Sequence, residues 1–143
     1  LLEVNTRFGD PECQVILPRL ESDLLTALRA TREGRLNEIE LTWQDQAALC
    51  VVMASKGYPE SYTKGSIIRG IVDTEAATSA IVFHAGTSLA DGEITATGGR
   101  VLGVTTLGDD IAAAQAAAYR AVEMIDWPGG FYRRDIGWRA LGR

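Results

Sequence analysis

The sequence predicts an α+β domain in which antiparallel strands pack against one or two helices. Three observations lead to that prediction. A nearly continuous apolar run occupies residues 47–54, as expected of a strand that is covered on both faces. Short β-branched segments separated by glycine-containing turns follow it. An alanine-rich segment with helical spacing lies near the end of the chain.

Composition narrows the class of protein. The 143 residues, 46% hydrophobic and 23% charged, suit one globular domain with its own core. A net charge of −5 with scattered basic residues argues against a nucleic-acid partner. No apolar run reaches the ~20 residues of a membrane helix, so we expect no membrane contact and a cytoplasmic location. Cys13 and Cys50 lack CxxC spacing and are expected to be buried, reduced thiols.

The first five residues have the alternation of a β-strand. Leu2 and Val4 would lie on one face, and Glu3 and Asn5 on the other. Because this pattern starts at residue 1 without an initiator Met, we expect the chain to be a fragment whose strand partners lie upstream.

A helix is predicted after this strand. Residues 10–12 (DPE) have the signature of a helix start, with Asp10 as the N-cap. The helix is expected to continue to about Glu33 and to end at Gly34, with a bend or restart at Pro18. Its core-facing stripe would consist of Val15, Leu17, Leu20, Leu24, Leu25 and Leu28.

The remaining residues are predicted to form the β-rich part of the chain. After the strand at 47–54, further strands are expected at residues 67–72, 80–84, 93–97 and 100–106. The segments 80–84 and 93–97 would form a hairpin around the turn at residues 90–92. Asp109 or Asp110 would cap the alanine-rich helix, and residues 127–130 (WPGG) would end it. Its buried face would consist of Ile111, Ala114, Ala118, Val122 and Ile125.

A division of the chain follows from these assignments. The polar stretch at residues 32–46 is the best boundary between a helical first part and a compact β-rich part. We therefore expect two regions, residues 1–35 and residues 36–143.

Glu3 and Asn5 are the strongest candidates for a functional site. On one strand face, a carboxylate and an amide oxygen two residues apart can reach the same hard cation, and magnesium prefers such oxygen ligands. Arg7 would share that face if the strand continues, and its guanidinium suits a carboxylate or a phosphoryl oxygen. As an isolated match the pattern is weak, and a surface strand with an incidental Glu and Asn explains it better.

The flanking residues connect this site to a known family. Residues 3–12 (EVNTRFGDPE) closely resemble the E-x-N-x-R-F-G-D-P-E segment of phosphoribosylamine–glycine ligases, also called glycinamide ribonucleotide synthetases. The resemblance is collinear and spans nearly the whole chain. It continues at residues 17–24 (LPRLESDL), 54–59 (ASKGYP), 64–65 (KG), 83–87 (FHAGT), 98–105 (GGRVLGVT) and 132–137 (YRRDIG).

The resemblance implies a fold and an activity. Residues 1–35 would be the end of an ATP-grasp domain, a strand plus a helix, followed by a β-rich C-terminal domain. Such ligases use ATP to convert glycine to glycyl phosphate, which 5-phosphoribosylamine attacks to give glycinamide ribonucleotide, ADP and phosphate in purine biosynthesis. Lacking the N-terminal and ATP-binding domains of the complete enzyme, the isolated chain is expected to be inactive.

Residue roles are also implied by the resemblance. Glu3 and Asn5 would hold Mg²⁺ or Mn²⁺ against the ATP phosphates, which agrees with the chemistry of phosphoryl transfer. Arg7 would be catalytic and would bind substrate near the transferred phosphate. Asp10 would bind glycine or phosphoribosylamine, although a helix-cap role explains it equally well.

Other polar residues are given structural explanations. Lys64 is expected to be solvated surface, and His84 a structural histidine at a strand end. The pair at residues 98–99 (GG) is expected to be a tight turn before a strand, with Arg100 approaching the cleft. Arg133 and Arg134 are expected to make an ion pair with Asp135 or an interdomain contact.

Two alternatives remain at this stage. One is another ATP-grasp ligase, similar to biotin carboxylase, which shares the Glu-x-Asn-x-Arg pattern. The other is a non-catalytic binding module, for which Glu3 and Asn5 would be irrelevant to nucleotide and magnesium binding.

Overall fold

The computed structural model describes residues 6–142 and confirms the α+β class. A four-stranded antiparallel sheet has the strand order β3-β6-β1-β7, and a smaller antiparallel sheet has the order β2-β5-β4. The strands are β1 (Ala47–Ser55), β2 (Ile67–Ile68), β3 (Ile81–His84), β4 (Thr87–Ala90), β5 (Glu93–Ala96), β6 (Arg100–Gly108) and β7 (Gly130–Tyr132). The helices are α1 (Cys13–Ile16), α2 (Leu24–Arg32), α3 (Ile71–Thr78), α4 (Ile111–Met124) and α5 (Trp138–Leu141).

The central pair of strands explains where the core lies. β1 and β6 pair from Ala47 opposite Gly108 to Met53 opposite Leu102, and the register then shifts at a bulge. One face of this pair packs on α4. That face contributes fully or nearly fully buried side chains because successive strand residues alternate between faces. They include Leu49, Val51, Met53, Leu102 and Val104.

Helix α4 confirms the predicted alanine-rich element. Asp110 is its N-cap, because its carboxylate accepts a hydrogen bond from the backbone N–H of Ala113 at 2.7 Å. Ala114, Ala118 and Ala121 are fully buried, so their methyl groups let the helix lie close to the sheet. Asp109, the other candidate, is not the cap.

The predicted first helix is wrong in its extent. Instead of one helix to Glu33, the chain forms the single turn α1, a 3-10 turn at Leu17–Arg19, an extended residue at Leu20, and then α2. Asp23 caps α2 through the backbone N–H of Thr26. Pro18 lies inside the 3-10 turn, which is consistent with the predicted restart. Gly34, with φ of 71°, follows the end of α2 as predicted.

Two expectations about this first part are also wrong. Asp10 does not cap a helix, because α1 begins three residues later and shows no side-chain cap. The predicted apolar stripe is wrong for Leu25 and Leu28, which are exposed, whereas its other four members are half-buried. The side chains that α2 buries are Ala27 and Ala30, whereas Leu25 is 66% exposed.

The β-rich part differs from the prediction at two places. The expected strand at residues 67–72 ends after Ile68, because Gly70 adopts a left-handed conformation (φ 79°) and starts α3. The expected hairpin between residues 80–84 and 93–97 does not form. Strand β5 pairs with β4 across the turn at Asp91 and Gly92, and β3 pairs with β6 in the other sheet.

Candidate functional site

A cleft of about 440 Å³ lies on the face of the four-stranded sheet that α4 does not cover. Alternate β1 residues, Cys50 and Val52, form part of its floor, and the aromatic residues Tyr58, Phe131 and Tyr132 form part of its walls. The lining is mostly apolar with a few charged groups at the rim, which is the usual composition of a small-molecule site. The other lining residues are Pro11, Ala54, Pro59, Arg100, Arg133 and Ile136.

Arg100 connects this cleft to the first part of the chain. Its Nη2 donates to Asp10 Oδ2 and its Nη1 to the Asp10 carbonyl oxygen, both at 3.0 Å. The second oxygen of the carboxylate, Oδ1, accepts from Gln14 Nε2 at 3.0 Å. Asp10 is therefore held from β6 and from α1 at once, beside Pro11 at the cleft. Both partners of the ion pair remain partly exposed, at 41% and 47%.

The position of Arg100 depends on the two glycines before it. The Ser55 hydroxyl donates to the Gly98 carbonyl at 2.8 Å, and a Cβ on Gly99 would come within 2.2 Å of the Tyr58 ring. The backbone thus passes directly beneath Tyr58 before β6 begins. This arrangement supports the tight-turn interpretation of residues 98–99, and it places the Arg100 guanidinium at the rim.

Arg133 also lines the cleft and forms an ion pair with Asp135. The Arg133 Nε and Nη2 atoms donate to the two carboxylate oxygens of Asp135 at 2.9 and 2.7 Å. The Arg133 guanidinium lowers the pKa of the Asp135 carboxyl, and Asp135 raises the pKa of Arg133. Arg134 instead pairs with Glu123 at 3.2 Å. The predicted ion pair is therefore made by Arg133.

Cys50 places a thiol in the cleft floor. Burial raises the pKa of its thiol. A thiol with a raised pKa stays protonated at neutral pH and is a poor nucleophile. The prediction of reduced cysteines that serve packing agrees with this environment, although both thiols are only partly buried.

The predicted metal ligands, Glu3 and Asn5, lie outside the described residues. Arg7 is exposed, and its Nη1 donates to the Phe8 carbonyl at 2.7 Å. Residues 6 and 7 form a bend, so Arg7 does not lie in a strand and the shared-face argument does not apply to it. Asp10 lies next to the cleft, because its neighbour Pro11 and its ion-pair partner Arg100 both line it.

The remaining polar candidates do not line the cleft. Lys64 is exposed, as expected of a surface lysine. His84 is exposed at the end of β3, where its Nδ1 atom forms a hydrogen bond with the Thr87 hydroxyl at 3.0 Å. Within residues 6–142, no group of three or more His, Cys, Asp or Glu side chains could hold a metal ion. Over the same range, no helix has the length and apolar character needed to cross a bilayer.

Sequence reasoning missed most of the cleft. Tyr58, Phe131 and Tyr132 come from a loop and an edge strand that are far apart along the chain, and no local pattern marks them as neighbours. For Arg100, the sequence did contain a local signal. The two glycines before it allow the backbone to pass close to another segment, and Arg100 begins the strand that follows.

Comparison with known proteins first shows the class of fold. A crystal structure of phosphoribosylamine–glycine ligase from Thermotoga maritima matches 96% of this chain and 33% of its own, with a TM-score of 0.79 and 33% identity. The fold is therefore that of one third of this ligase. The Leu1–Arg143 chain is 56% identical over its whole length to the phosphoribosylamine–glycine ligase of Brucella melitensis and covers 34% of that protein. The chloroplastic ligase of Arabidopsis thaliana is also 56% identical, with 99% of this chain and 27% of the relative covered.

The family model for the phosphoribosylglycinamide synthetase C domain matches residues 48–139. The chain belongs to this family. It spans about a third of the length of the curated relatives it matches. The matched family therefore differs from the biotin-carboxylase-like ligases that were one alternative from the sequence.

Proposed function

We propose that this chain forms the C-terminal part of an ATP-dependent ligase that joins glycine to 5-phosphoribosylamine. The observation that carries the proposal is the 56% identity over all 143 residues to a protein named for that reaction. Because the chain spans a third of that relative, the activity is assigned to a longer polypeptide and not to these residues alone.

The proposed reaction has two steps. The γ-phosphoryl group of ATP passes to a glycine carboxylate oxygen, which gives glycyl phosphate and ADP. The amine of 5-phosphoribosylamine then attacks the glycyl carbonyl carbon, loses a proton and displaces phosphate. Both steps place negative charge on phosphoryl oxygens, so they need a divalent cation and nearby guanidinium groups.

Glu3 and Asn5 are proposed to hold that cation, Mg²⁺ or Mn²⁺. A carboxylate and an amide oxygen are suitable hard ligands that leave positions for water and for phosphate oxygens. Arg7 is proposed to act near the transferred phosphate and the acceptor carboxylate. When bound, the metal would neutralise charge between the ATP phosphates.

Asp10 and Arg100 are proposed to form the edge of the substrate site. The contacts of Arg100 hold Asp10 next to the cleft, three residues after Arg7. Because both carboxylate oxygens of Asp10 already bond protein donors, its negative charge is shared with Arg100 before any substrate binds.

The division at residues 35 and 36 and a cytoplasmic location belong to the same proposal. The family match starts at residue 48, which is compatible with a β-rich domain that begins after the polar stretch. The Arabidopsis relative is by name chloroplastic, so location differs within this group of proteins.

A chimeric enzyme tests the proposed function. The aligned C-terminal third of the Brucella melitensis ligase is replaced by this chain, and ADP release is measured with and without glycine and phosphoribosylamine. We expect turnover that requires both substrates. Glu3→Gln and Asn5→Ala should each lower kcat by on the order of 100-fold or more, because a charge-stabilising ligand is lost.

Two controls make the result specific. Glu40→Gln removes an exposed carboxylate from the same chain and should leave turnover unchanged. The isolated 143-residue chain should release no glycine-dependent ADP. Full turnover by the Glu3→Gln and Asn5→Ala chimeras would contradict the metal assignment. An inactive chimera that folds as well as the parent ligase would contradict the proposed function as a whole.

A further inference from the structure

The backbone around Arg100 is held by segments that are distant in the sequence. The Ser55 N–H donates to the Gly99 carbonyl at 2.8 Å, and the Ser55 hydroxyl donates to the Gly98 carbonyl at 2.8 Å. From the turn between β3 and β4, the Gly86 N–H donates to the carbonyl of Arg100 itself at 3.1 Å. Ser55 is 2% exposed, so its two bonds are shielded from water. The start of β6 is thereby fixed by two other parts of the β-rich region.

The turn at Gly86 and the start of β6 pack in direct contact. A Cβ on Gly86 would lie 2.7 Å from the Gly98 Cα and 2.7 Å from the Arg100 carbonyl oxygen, so no side chain fits there. The Gly86 carbonyl also accepts from the N–H groups of Thr97 at 2.7 Å and Gly98 at 3.1 Å. The segment 83–87 belongs to the motifs that carry the family resemblance, and the proposed reaction gives it no role. These contacts give it the role of holding Arg100.

The guanidinium of Arg100 holds both the backbone and the side chain of Asp10. Its Nη1 donates to the Asp10 carbonyl oxygen and its Nη2 to the carboxylate Oδ2, each at 3.0 Å. A planar guanidinium that makes two such bonds fixes the direction of the bound group as well as its distance. Gln14 Nε2 donates to the other carboxylate oxygen at 3.0 Å. Asp10 is therefore oriented by Arg100, whose own backbone is fixed by the β-rich part.

The orientation of Asp10 affects the proposed functional residues before it. Arg7 is three residues from Asp10, and three residues span at most about 11 Å even in a fully extended chain. A change in the position or direction of Asp10 therefore changes where the segment before it can lie. Displacement of a catalytic group by about 1 Å can lower a rate on the order of 100-fold.

Stability alone does not explain this arrangement. The side chains of Asp10 and Arg100 are 47% and 41% exposed, and exposed ion pairs add little to the free energy of unfolding. Direct binding of substrate by Arg100 would have to share or break bonds that both of its Nη atoms already make. The geometry favours a role in which Arg100 acts through Asp10.

We propose that Arg100 is a positioning residue of the ligase, which acts through Asp10 on the segment that carries Arg7 and the proposed metal ligands. This inference rests on the proposed function, because it takes that reaction and a divalent cation at Glu3 and Asn5 as given. In this role Arg100 itself contacts neither the cation nor the reacting atoms.

Arg100→Gln in the chimera with the Brucella melitensis ligase tests this role with two independent measurements. We expect kcat to fall by about tenfold or more, with the KM values for glycine and phosphoribosylamine changed by less than about threefold. Mn²⁺ binding is measured by electron paramagnetic resonance with a non-hydrolysable ATP analogue. The Kd for Mn²⁺ should rise by about tenfold, the usual effect of losing a residue that orients metal ligands.

Two results would overturn the proposal directly. One is that Arg100→Gln leaves both kcat and the Kd for Mn²⁺ unchanged. The other is a raised KM with kcat unchanged, which would assign Arg100 to uniform substrate binding.

A double variant shows whether Arg100 acts through Asp10. Asp10→Asn alone should also lower kcat, since the amide lacks the charge-assisted bond to Arg100. Combined with Arg100→Gln, it should lower kcat no further than the larger of the two single losses. Losses that multiply in the double variant would mean that the two residues act separately, and the proposal would fail.

A matched control excludes a general loss of stability. Arg69→Gln breaks an ion pair of similar exposure, with Glu93, and should leave kcat and the Kd for Mn²⁺ unchanged. Arg100→Gln should lower the unfolding temperature of the chimera no more than Arg69→Gln does. If it lowers that temperature by several degrees more, the pair with Asp10 serves the fold and the proposal is wrong.

Failure of this proposal is distinguishable from failure of the proposed function. A chimera that folds but releases no glycine-dependent ADP refutes the proposed function, and its Mn²⁺ affinity still tests the role of Arg100. An active chimera that Arg100→Gln leaves unchanged in both measurements refutes the positioning role alone.

Discussion

At the scale of single residues, Cys50 shows how its surroundings determine the chemistry of a side chain. Its thiol lies in the floor of the cleft, where a nucleophile would have access to a substrate. Burial raises the pKa of that thiol, however, so the reactive thiolate is disfavoured. The cleft therefore offers apolar contact and rim charges, and Cys50 acts as a small hydrophobic residue within it.

This environment predicts slow alkylation of Cys50. In a Cys13→Ser variant, iodoacetamide should modify Cys50 at pH 8.5 several-fold more slowly in the folded chain than in the urea-unfolded chain, as followed by mass spectrometry. An unfolded-chain thiol ionises near pH 8.5. Because burial raises the pKa of Cys50 in the folded chain, this thiol does not change the free energy of unfolding below the pKa of the unfolded chain. As the pH rises from there through the folded pKa, the unfolded chain loses its proton first and the free energy of unfolding falls. Equal rates in the two states would show that the thiol is freely ionised.

At the scale of elements, capping and close approach explain how the core is built. Helix α4 begins where the Asp110 carboxylate accepts the Ala113 N–H, and Gly108 ends β6 just before it. A Cβ on Gly108 would lie 2.4 Å from the Ala114 nitrogen, so the strand and the helix meet with no room for a side chain. Local chemistry thus determines where the helix begins and how close it lies to the sheet.

The two adjacent aspartates provide a matched test of the cap. Asp110→Ala should lower the free energy of unfolding by about 1 kcal/mol, the usual cost of losing an N-cap acceptor. Asp109→Ala removes a neighbouring exposed carboxylate that makes no cap and should change stability by less than about 0.5 kcal/mol. Urea unfolding followed by circular dichroism measures both. Equal losses from the two variants would mean that the cap hydrogen bond does not contribute.

At the scale of the whole molecule, Arg100 ties the first part of the chain to the β-rich part. Asp10 and Arg100 are 90 residues apart in sequence, and the guanidinium bonds both the side chain and the backbone of Asp10. An exposed ion pair of this kind contributes only about 0–1 kcal/mol. We infer that the pair orients the segment around Asp10 more than it stabilises the fold.

A pair of arginine variants tests that inference. Arg100→Gln should speed amide exchange in α1 (Cys13–Ile16) and leave α4 unchanged, because α1 is held to the sheet partly through Asp10 and Gln14. Arg69→Gln breaks a similarly exposed ion pair with Glu93 inside the β-rich part and should leave α1 unchanged. Identical exchange in α1 for both variants would show that Arg100 does not orient the first segment.

The sequence by itself determined the α+β class, the β1 and β6 strands, the α4 helix and the family, because each depends on a local pattern or a collinear set of motifs. Only the tertiary structure decided the partner of β5, the use of Asp10 as an ion-pair residue and the outward direction of Leu25. Strand pairing and the bonding of Asp10 depend on residues far apart in sequence, such as Arg100. Periodicity shows that a helix has an apolar stripe, but it does not show which surface covers that stripe.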